Sequence, residues 1–418
     1  MQPSYCIIGN SAAAVGAIEA IRKIDAETPI TVISKEPCHV YSRPILPYLL
    51  SGKIPEERIY YRGKDFYEKN NVNAMLGKTA IAIDAERKII KIDDGSEIKY
   101  SKLLLATGST PIIAKVPGVE KHGVSAFTTL EDVSRIKRRI SEGASKALIV
   151  GAGLIGLKAA ESLKLLGLDV TVLVRSRVLR RIVDETASKI VQDHLAENGV
   201  KIITGLTIKE IVGDTSVEAA VLSDGSRVEC DLVIMAAGVK PNVELAKDAG
   251  LAVNNGILVN NRMETNVKDV YAAGDVAEAP HMLYDESRVT LLWPIAYKQG
   301  SVAGANMAGG FKEYEGSLDM NSLELFHLPI ISVGVTNPTD ETYVTLTRTE
   351  GEKVYRKVVL KKDKLVGVIL VGEIDRAGIY TGLIREMISV KEFKNDLLRS
   401  DFGYAYLPES IRKERLLK

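Results

Sequence analysis

The chain has 418 residues, with 55 Lys and Arg against 54 Asp and Glu, a formal net charge of +1 and 46% hydrophobic residues. This length predicts two or three domains, and the balanced charge argues against a general nucleic-acid binder. No apolar run approaches the roughly 18 residues that span a bilayer, and the early first strand leaves no room for a signal peptide. We therefore expect a cytoplasmic globular protein that binds neither nucleic acid nor membrane.

Residues 5–36 contain a first strand, glycine turn, helix and strand. The apolar run YCII leads into Gly9-Asn-Ser11-Ala-Ala-Ala14, and the second strand ends at Glu36. Ser11 and Ala14 replace two of the three glycines of a dinucleotide-binding turn, but small side chains still allow close backbone approach. An acidic residue at the end of the second strand is typical of ribose binding. A nucleotide-free strand–helix–strand remains the alternative.

A loop and helical stretch around 41–49 and a β-meander follow, before a buried strand at 103–105 that Thr107-Gly108 closes. Pro111 and the Pro-Gly pair at 117–118 mark a crossover into a further domain.

Residues 146–175 carry the strongest motif of the chain. A short apolar strand enters Gly151-Ala-Gly153-Leu-Ile-Gly156, an apolar helix face follows, and a second strand ends near Val174. In this context the three glycines serve the sharp turn, the approach of a pyrophosphate and close packing of helix on strand. The helix N-terminus then receives the phosphates. We predict a dinucleotide site here.

The remaining chain repeats these signals and then changes character. A helix after Arg181, a meander around the turn at 224–226 and a buried strand at 232–236 precede a second crossover at 238–242. A short strand ends at Gly274-Asp275, and a helix over roughly 294–308 follows Trp293. From about 320 a strand-rich stretch precedes a helix, which predicts a third, α+β domain.

The chain contains two strand–glycine turn–helix–strand units, and later strands that end in the sequences ATG and GD. This combination resembles the pyridine nucleotide–disulfide oxidoreductase superfamily. YSRP at 41–44, FHLPIISVGVTN at 326–337 and the segment 355–373 are most similar to one branch. That branch contains NADH:rubredoxin oxidoreductases, the flavin portion of nitrite reductases, NADH oxidases and carbon monoxide dehydrogenase-associated flavoproteins. The resemblance implies an α/β fold with two Rossmann-like dinucleotide-binding domains, which have three layers and parallel sheets with β-meanders, and a C-terminal α+β interface domain. The implied domains are FAD-binding (1–112 with 236–319), NAD(P)-binding (113–235) and interface (320–418).

The resemblance also implies roles for single residues, with FAD as cofactor and NAD(P)H as substrate. By this resemblance, the first glycine turn binds the pyrophosphate of FAD, Glu36 its ribose and Asp275 its ribityl chain. Arg43-Pro44 and the helix after Trp293 lie against the flavin ring. The implied FAD-binding residues are Gly9, Ser11, Ala14, Glu36, Arg43, Pro44, Thr107, Gly108, Gly274, Asp275 and Trp293. Those for NAD(P) are Gly151, Gly153, Gly156, Arg175 and Arg180.

The cysteines depart from the family pattern. No C-x4-C pair exists, and Pro44 stands at the cysteine position of the single-cysteine oxidases and reductases. Cys38 lies six positions earlier in a loop, while Cys6 and Cys230 fall in or beside predicted strands. The three cysteines and five histidines match no metal-ligand spacing. We expect no metal site, and electrons that leave the flavin without a thiol relay.

The end of the second unit's strand bears on nucleotide choice. Arg175, Arg177, Arg180 and Arg181 occur there without an acidic residue among them. Guanidinium groups bind phosphate in a bidentate fork, so this loop favours NADP, with dual use open and a solvated basic loop as the alternative. Lys158 stands where the family commonly has Glu, and it could pair with Glu161 or replace a contact to the nicotinamide.

The sequence thus predicts an FAD-dependent oxidoreductase that moves electrons between NAD(P)H and a ferredoxin- or rubredoxin-type carrier. An NAD(P)H oxidase using dioxygen, or a non-catalytic FAD/NAD-binding interaction protein, remain alternatives. The interface domain leaves a homodimer open.

Overall fold

The computed structural model of the chain describes residues 4–416. The described chain divides into two compact units, each built from two separate segments. One unit comprises the chain up to Thr110 together with Val239–Ser317, and the other comprises Pro111–Gly238 together with the chain from Leu318 onward.

The first segment contains three helices and eight strands. In chain order they are β1 (Tyr5–Ile8), α1 (Ala12–Arg22), β2 (Ile30–Ser34), α2 (Leu46–Leu50), α3 (Phe66–Lys69), β3 (Val72–Leu76), β4 (Ala80–Asp84), β5 (Ile89–Ile92), β6 (Glu97–Lys99), β7 (Lys102–Leu105) and β8 (Ser109–Pro111). The strands β4, β5 and β6 form an antiparallel meander.

The second segment contains the second glycine turn. Its elements are β9 (Val124–Ser125), α4 (Leu130–Ser141), β10 (Lys146–Val150), α5 (Leu154–Leu165), β11 (Asp169–Val174), α6 (Glu185–Glu197), β12 (Val200–Thr204), β13 (Ile208–Val212), β14 (Ala219–Leu222), β15 (Arg227–Glu229) and β16 (Leu232–Met235). The strands β13, β14 and β15 form a second meander.

The third segment returns to the first unit. It contains β17 (Val239–Pro241), α7 (Glu244–Asp248), β18 (Ile257–Leu258), β19 (Val270–Ala272), β20 (Ala277–Ala279), β21 (Arg288–Val289) and α8 (Trp293–Met307). The fourth contains β22 (Met320–Leu325), β23 (Leu328–Gly334), β24 (Tyr343–Glu350), β25 (Val354–Lys361), β26 (Lys364–Val371), α9 (Ala377–Arg385) and α10 (Glu409–Leu416).

Each unit has a parallel five-stranded sheet with a glycine-turn strand at its centre. The strand orders are β19-β7-β1-β2-β3 and β12-β11-β10-β16-β9. All of β1 is buried, as is β10 from Ala147 onward. Strands covered on both faces read as continuous apolar runs rather than alternating ones, which is why these two could be located in the sequence.

The fourth segment forms an antiparallel sheet in the order β22-β23-β26-β25-β24. Parallel sheets in both units and this antiparallel sheet confirm the predicted α/β fold class with a C-terminal α+β part.

In the first unit α1 and α8 pack at very short range. A Cβ at Gly300 would lie 2.0 Å from the carbonyl oxygen of Ala13, and one at Gly304 would lie 2.3 Å from that of Ala17. Only glycine permits such backbone contact, so these residues fix how α8 crosses the helix that follows the first turn.

Candidate functional site: two dinucleotide cradles

The first glycine turn leaves the start of α1 open to an anion. Gly9 has φ of +120°, and a Cβ there would lie 2.0 Å from the carbonyl oxygen of Ala106, so no other residue fits the turn. Ser11 is the N-cap of α1 in an extended conformation, its side chain makes no capping hydrogen bond, and the first helical turn has no acidic residue. The uncapped N–H groups and the positive end of the helix dipole suit a phosphate.

The expected ribose-binding carboxylate, Glu36, has two partners. The Tyr41 hydroxyl donates to its Oε2 at 2.5 Å, and Arg43 forms an ion pair through Oε1. A carboxylate oxygen has two lone pairs, so each oxygen of Glu36 retains capacity for a ribose hydroxyl. Arg43 and Pro44 lie in a 3-10 turn, Arg43–Ile45, and the side chain of Arg43 contacts this carboxylate.

The Thr107-Gly108 closure is clamped by a residue that the sequence did not single out. Asn242 donates through Nδ2 to the carbonyl oxygen of Thr107 at 2.8 Å and through its backbone N–H to Gly108 at 2.9 Å. The Thr107 hydroxyl donates in return to the backbone oxygen of Asn242 at 2.9 Å. The clamp joins the strand exits of the first and third segments, and the sequence marked that region only as a crossover.

Gly274 and Asp275 lie where three distant parts of the first unit meet. A Cβ at Gly274 would be 3.3 Å from Cβ of Ala13 and 3.5 Å from Cβ of Ala296, which belong to the first turns of α1 and α8. The Asp275 carboxylate accepts a hydrogen bond from the Ser109 hydroxyl at 2.8 Å. Burial raises the pKa of Asp275, and Ser109 and the charge of Arg43 offset part of that rise.

The start of α8 offers a second uncapped helix N-terminus. Trp293 is its first residue, the first turn contains no acidic side chain, and no side chain caps it. The ring of Trp293 meets Tyr61 edge-on at a centroid distance of 5.2 Å. Within the helix, Gln299 accepts from the Gly274 N–H at 2.8 Å, while its buried Nε2 has no hydrogen-bond partner among the described residues.

Together these residues fit a bound dinucleotide such as FAD. Two helix N-termini without carboxylate caps suit the pyrophosphate and an electron-rich ring edge. Asp275 and Glu36 supply acceptors for hydroxyl groups, and the donor Nε2 of Gln299 is a buried polar atom without a partner in residues 4–416.

The second glycine turn separates two kinds of glycine. Gly151 has φ of +116°, and a Cβ there would lie 2.2 Å from the carbonyl oxygen of Ala236. A Cβ at Gly156 would lie 2.1 Å from that of Gly151. At Gly153, the N-cap of α5, an added Cβ meets nothing within 4 Å, so the space in front of the helix is open.

The loop after β11 presents arginines to solvent. Arg175, Arg180 and Arg181 are exposed, and none of their side chains makes a hydrogen bond or ion pair with a residue in the described part of the chain. Arg177 differs, since its Nη1 donates to the carbonyl oxygen of Val183 at 2.7 Å. Three of the four arginines are therefore available to a ligand, and one belongs to the loop's own structure.

Lys158 and Glu161 form an ion pair along one face of α5. Their side chains are 15% and 6% exposed, Lys158 also donates to the carbonyl oxygen of Glu324 at 3.1 Å, and Glu161 accepts from the Phe326 N–H at 2.8 Å. Of the two roles that the sequence left open for Lys158, the pairing is present. The pair holds the turn between β22 and β23.

The three thiols lie in environments that disfavour the thiolate. Burial raises the pKa of Cys6 and of Cys230 to about 12. Burial and the neighbouring Glu36 raise the pKa of Cys38 to about 11. Because the thiolate is the nucleophile, these environments disfavour the reactive form of each thiol. Among the described residues no group of three or more His, Cys, Asp or Glu side chains could hold a metal ion.

Residues 3–300 match the pyridine nucleotide-disulphide oxidoreductase family. The chain belongs to this family. Residues 320–388 match the rubredoxin NAD+ reductase C-terminal domain. These matches confirm the resemblance drawn from the sequence, and with it the expectation of FAD as cofactor and NAD(P)H as substrate, since the family and its relatives are flavin-dependent NAD(P)H oxidoreductases.

Relatives of this family member differ in length and in their acceptors. The chain is 36% identical over 385 residues to the epsilon subunit of NADH-dependent phenylglyoxylate dehydrogenase from Aromatoleum evansii, with 91% of each chain covered. It is 34% identical over 441 residues to an NADH oxidase from Methanocaldococcus jannaschii, covering 99% of this chain and 98% of that one. It is also 34% identical over 389 residues to an NAD(P)H nitrite reductase from Bacillus subtilis, covering 92% of this chain but only 48% of that protein. The chain thus spans about half the length of that relative.

A solved structure of a covalent putidaredoxin reductase–putidaredoxin complex superposes with a TM-score of 0.87 at 26% identity, covering 99% of this chain and 98% of that one.

The helices of the described residues include none with both the length and the apolar character needed to span a membrane.

Proposed function

We propose that this protein is an FAD-dependent NAD(P)H:acceptor oxidoreductase that exchanges electrons with a small iron–sulfur carrier of the ferredoxin or rubredoxin type. The observation that carries the proposal is the occurrence of two dinucleotide cradles in a chain whose three thiols all have raised pKa values. The match of the C-terminal segment to the rubredoxin reductase domain and the likeness to a putidaredoxin reductase support a carrier of this class.

In this proposal the domains are divided as the sequence predicts. An FAD-binding domain comes from 1–112 and 236–319, an NAD(P)-binding domain from 113–235, and an interface domain from 320–418. We assign to FAD the residues Gly9, Ser11, Ala14, Glu36, Arg43, Pro44, Thr107, Gly108, Gly274, Asp275 and Trp293. We assign to NAD(P) the residues Gly151, Gly153, Gly156, Arg175 and Arg180.

The protein's own groups bind and orient rather than react. When bound, FAD supplies the exchange between two-electron hydride transfer and one-electron transfer. The start of α1 binds its phosphates, and Glu36 and Asp275 accept from its hydroxyls. Arg43 forms an ion pair with Glu36 and so places a fixed positive charge beside that carboxylate. The start of α8 presents N–H groups to the ring edge that becomes electron-rich on reduction.

We propose NADPH as the preferred nucleotide, with NADH also accepted. The exposed Arg175, Arg180 and Arg181 offer three guanidinium groups to a 2′-phosphate, and Val174 ends β11 where an NAD site usually has an acid.

The testing experiment is anaerobic. The purified flavoprotein is reduced with NADPH or NADH, and reoxidation of the flavin is followed against rubredoxin, ferredoxin and dioxygen. Fast transfer to an iron–sulfur protein with slow reaction with dioxygen is the expected result. If dioxygen is the only competent acceptor, the proposal fails in favour of an oxidase, the alternative favoured by the likeness to the Methanocaldococcus jannaschii enzyme. If neither nucleotide reduces the flavin, a binding role replaces both.

A further inference from the structure

The loop that presents the arginines, residues 175–183, is a tightly held structure. Leu179 adopts φ of +51°, a conformation that L-residues with large side chains rarely take. Its N–H donates to the carbonyl oxygen of Ala152, inside the second glycine turn, at 2.9 Å. The carbonyl oxygen of the buried Val178 accepts from the Ser188 hydroxyl on α6 at 2.6 Å. The middle of this arginine loop is thus bound to both neighbouring elements.

The second half of the arginine loop depends on Arg177. Its Nη1 donates to the carbonyl oxygen of Val183 at 2.7 Å, and its Nη2 donates to that of Arg180 at 3.3 Å. The guanidinium group therefore bridges two carbonyl oxygens of the loop, alongside the backbone hydrogen bonds that the N–H groups of Ile182 and Val183 donate to the Leu179 carbonyl oxygen. It helps to hold the segment from which Arg180 projects.

Asn337, three residues after β23, reaches this same loop from the fourth segment. Its Oδ1 accepts from Arg177 Nη2 at 3.3 Å. Its Nδ2 donates to the carbonyl oxygens of Val183 at 3.2 Å and of Arg180 at 3.4 Å. One half-buried amide therefore contacts Arg177 and both of the carbonyl oxygens that Arg177 bridges.

We propose that Asn337 is a positioning residue for recognition of the nucleotide's 2′-phosphate, acting through Arg177 on the loop that carries Arg175 and Arg180. This inference rests on the proposed preference for NADPH. In it, the C-terminal segment helps to set nucleotide selectivity without contacting the nucleotide, because it holds the arginine loop in the conformation that points its guanidinium groups outward. Preorganised charges bind a phosphate better than mobile ones, since less side-chain freedom is lost on binding.

The test uses the holoprotein and two ligands that differ only in the 2′-phosphate, 2′,5′-ADP (adenosine 2′,5′-bisphosphate) and 5′-AMP, with binding measured by calorimetry. Asn337→Ala removes four weak hydrogen bonds, one of them to the neighbouring Thr336 hydroxyl. It is expected to raise the Kd for 2′,5′-ADP about fivefold while leaving that for 5′-AMP within about twofold. In turnover, the KM for NADPH should rise with kcat unchanged, and both constants for NADH should stay the same.

Two further variants keep the result interpretable. Asn321→Ala removes an asparagine of the fourth segment whose Nδ2 has, among the described residues, a single hydrogen bond, to the Ser332 hydroxyl at 3.5 Å. This variant should bind both ligands normally. Asn337→Asp keeps the acceptor for Arg177 but loses the donor to the Val183 and Arg180 carbonyl oxygens, so it should recover only part of the lost 2′,5′-ADP affinity.

The outcomes separate this inference from the one on which it rests. If the wild-type protein binds 5′-AMP as tightly as 2′,5′-ADP, the preference for NADPH fails and the role of Asn337 with it. If the wild type prefers 2′,5′-ADP but Asn337→Ala preserves that preference, or weakens both ligands equally, only the role of Asn337 is refuted.

Discussion

The two kinds of glycine in the second turn predict opposite effects of the same substitution. Gly151→Ala places a methyl group 2.2 Å from the carbonyl oxygen of Ala236 at φ of +116°, whereas Gly153→Ala places one in open space. Gly151 is thus required by the fold itself, and Gly153 only by a ligand that approaches the start of α5.

The magnitudes follow from these geometries. At Gly151 a positive φ costs an L-residue about 1–2 kcal/mol, and backbone at 2.2 Å must retreat by more than about 1 Å to reach van der Waals distance, which adds to that cost. At Gly153 two small effects oppose each other, because alanine is a poorer N-cap by up to about 1 kcal/mol but restricts the unfolded chain by about 0.4–1 kcal/mol. The free energy of unfolding should then change by less than about 1 kcal/mol.

Nucleotide affinity should show the reverse pattern for Gly153→Ala. A methyl group that keeps the pyrophosphate from the helix N-terminus removes one or two charge-assisted hydrogen bonds, each about 1.5–3 kcal/mol, so Kd for NADPH and NADH should both rise at least about tenfold. Thermal unfolding and nucleotide titration of the two variants, beside the wild type, measure both quantities. If Gly153→Ala binds nucleotide normally, or unfolds as early as Gly151→Ala, the division into fold-determining and ligand-determining glycines is wrong.

Three other substitutions test the remaining assignments. Arg175→Ala combined with Arg180→Ala should raise the Kd for NADPH by about 10–100-fold and that for NADH by less than about twofold, from the loss of exposed guanidinium–phosphate contacts; equal losses contradict a 2′-phosphate site. Asp275→Asn should weaken FAD retention, and full FAD occupancy refutes that contact. Because burial raises the pKa of Asp275, its ionisation destabilises the apoprotein as pH rises through that pKa. The melting temperature of apo Asp275→Asn should therefore exceed that of the wild-type apoprotein at neutral pH, and the difference should vanish in acid. Lys158→Ala leaves the buried carboxylate of Glu161 without its ion-pair partner and should lower the free energy of unfolding in urea by about 3 kcal/mol. The control, Lys189→Ala, removes an exposed helical ion pair and should change that free energy little. Equal effects would show that the Lys158–Glu161 pair is not stabilising.

The two glycine turns could be predicted from the local sequence pattern, but the residues that hold the neighbouring loops in place could not. The fully apolar runs of β1 and β10, followed at once by small residues, have few other structural meanings, so these turns could be placed from sequence. Asn242 and Asn337 carry no such signal, because an asparagine after a strand is ordinary turn composition. Their contacts span 135 and 160 residues respectively and depend on tertiary packing alone.

The same limit applies to charges. Four neighbouring arginines predicted an anion site, but the sequence could not show that Arg177 points back into the loop while Arg175 points outward.

The helix α4 was also missed in the sequence. Its capping box, Thr129 with Asp132, is visible in the sequence, yet the mostly polar helix that follows has a narrow apolar stripe and was not identified as an element.

The order of strands in the first sheet has a consequence for biosynthesis. β7 pairs on one side with β1, which is made before it, and on the other with β19, whose Val270 lies opposite Leu103. A ribosome adds residues one at a time, so that second edge of β7 stays bare, with its backbone N–H and C=O groups unpaired, until more than half of the chain has been made. Bare apolar edges recruit other strands. During that interval the exposed edge of β7 is open to pairing with a strand of another chain.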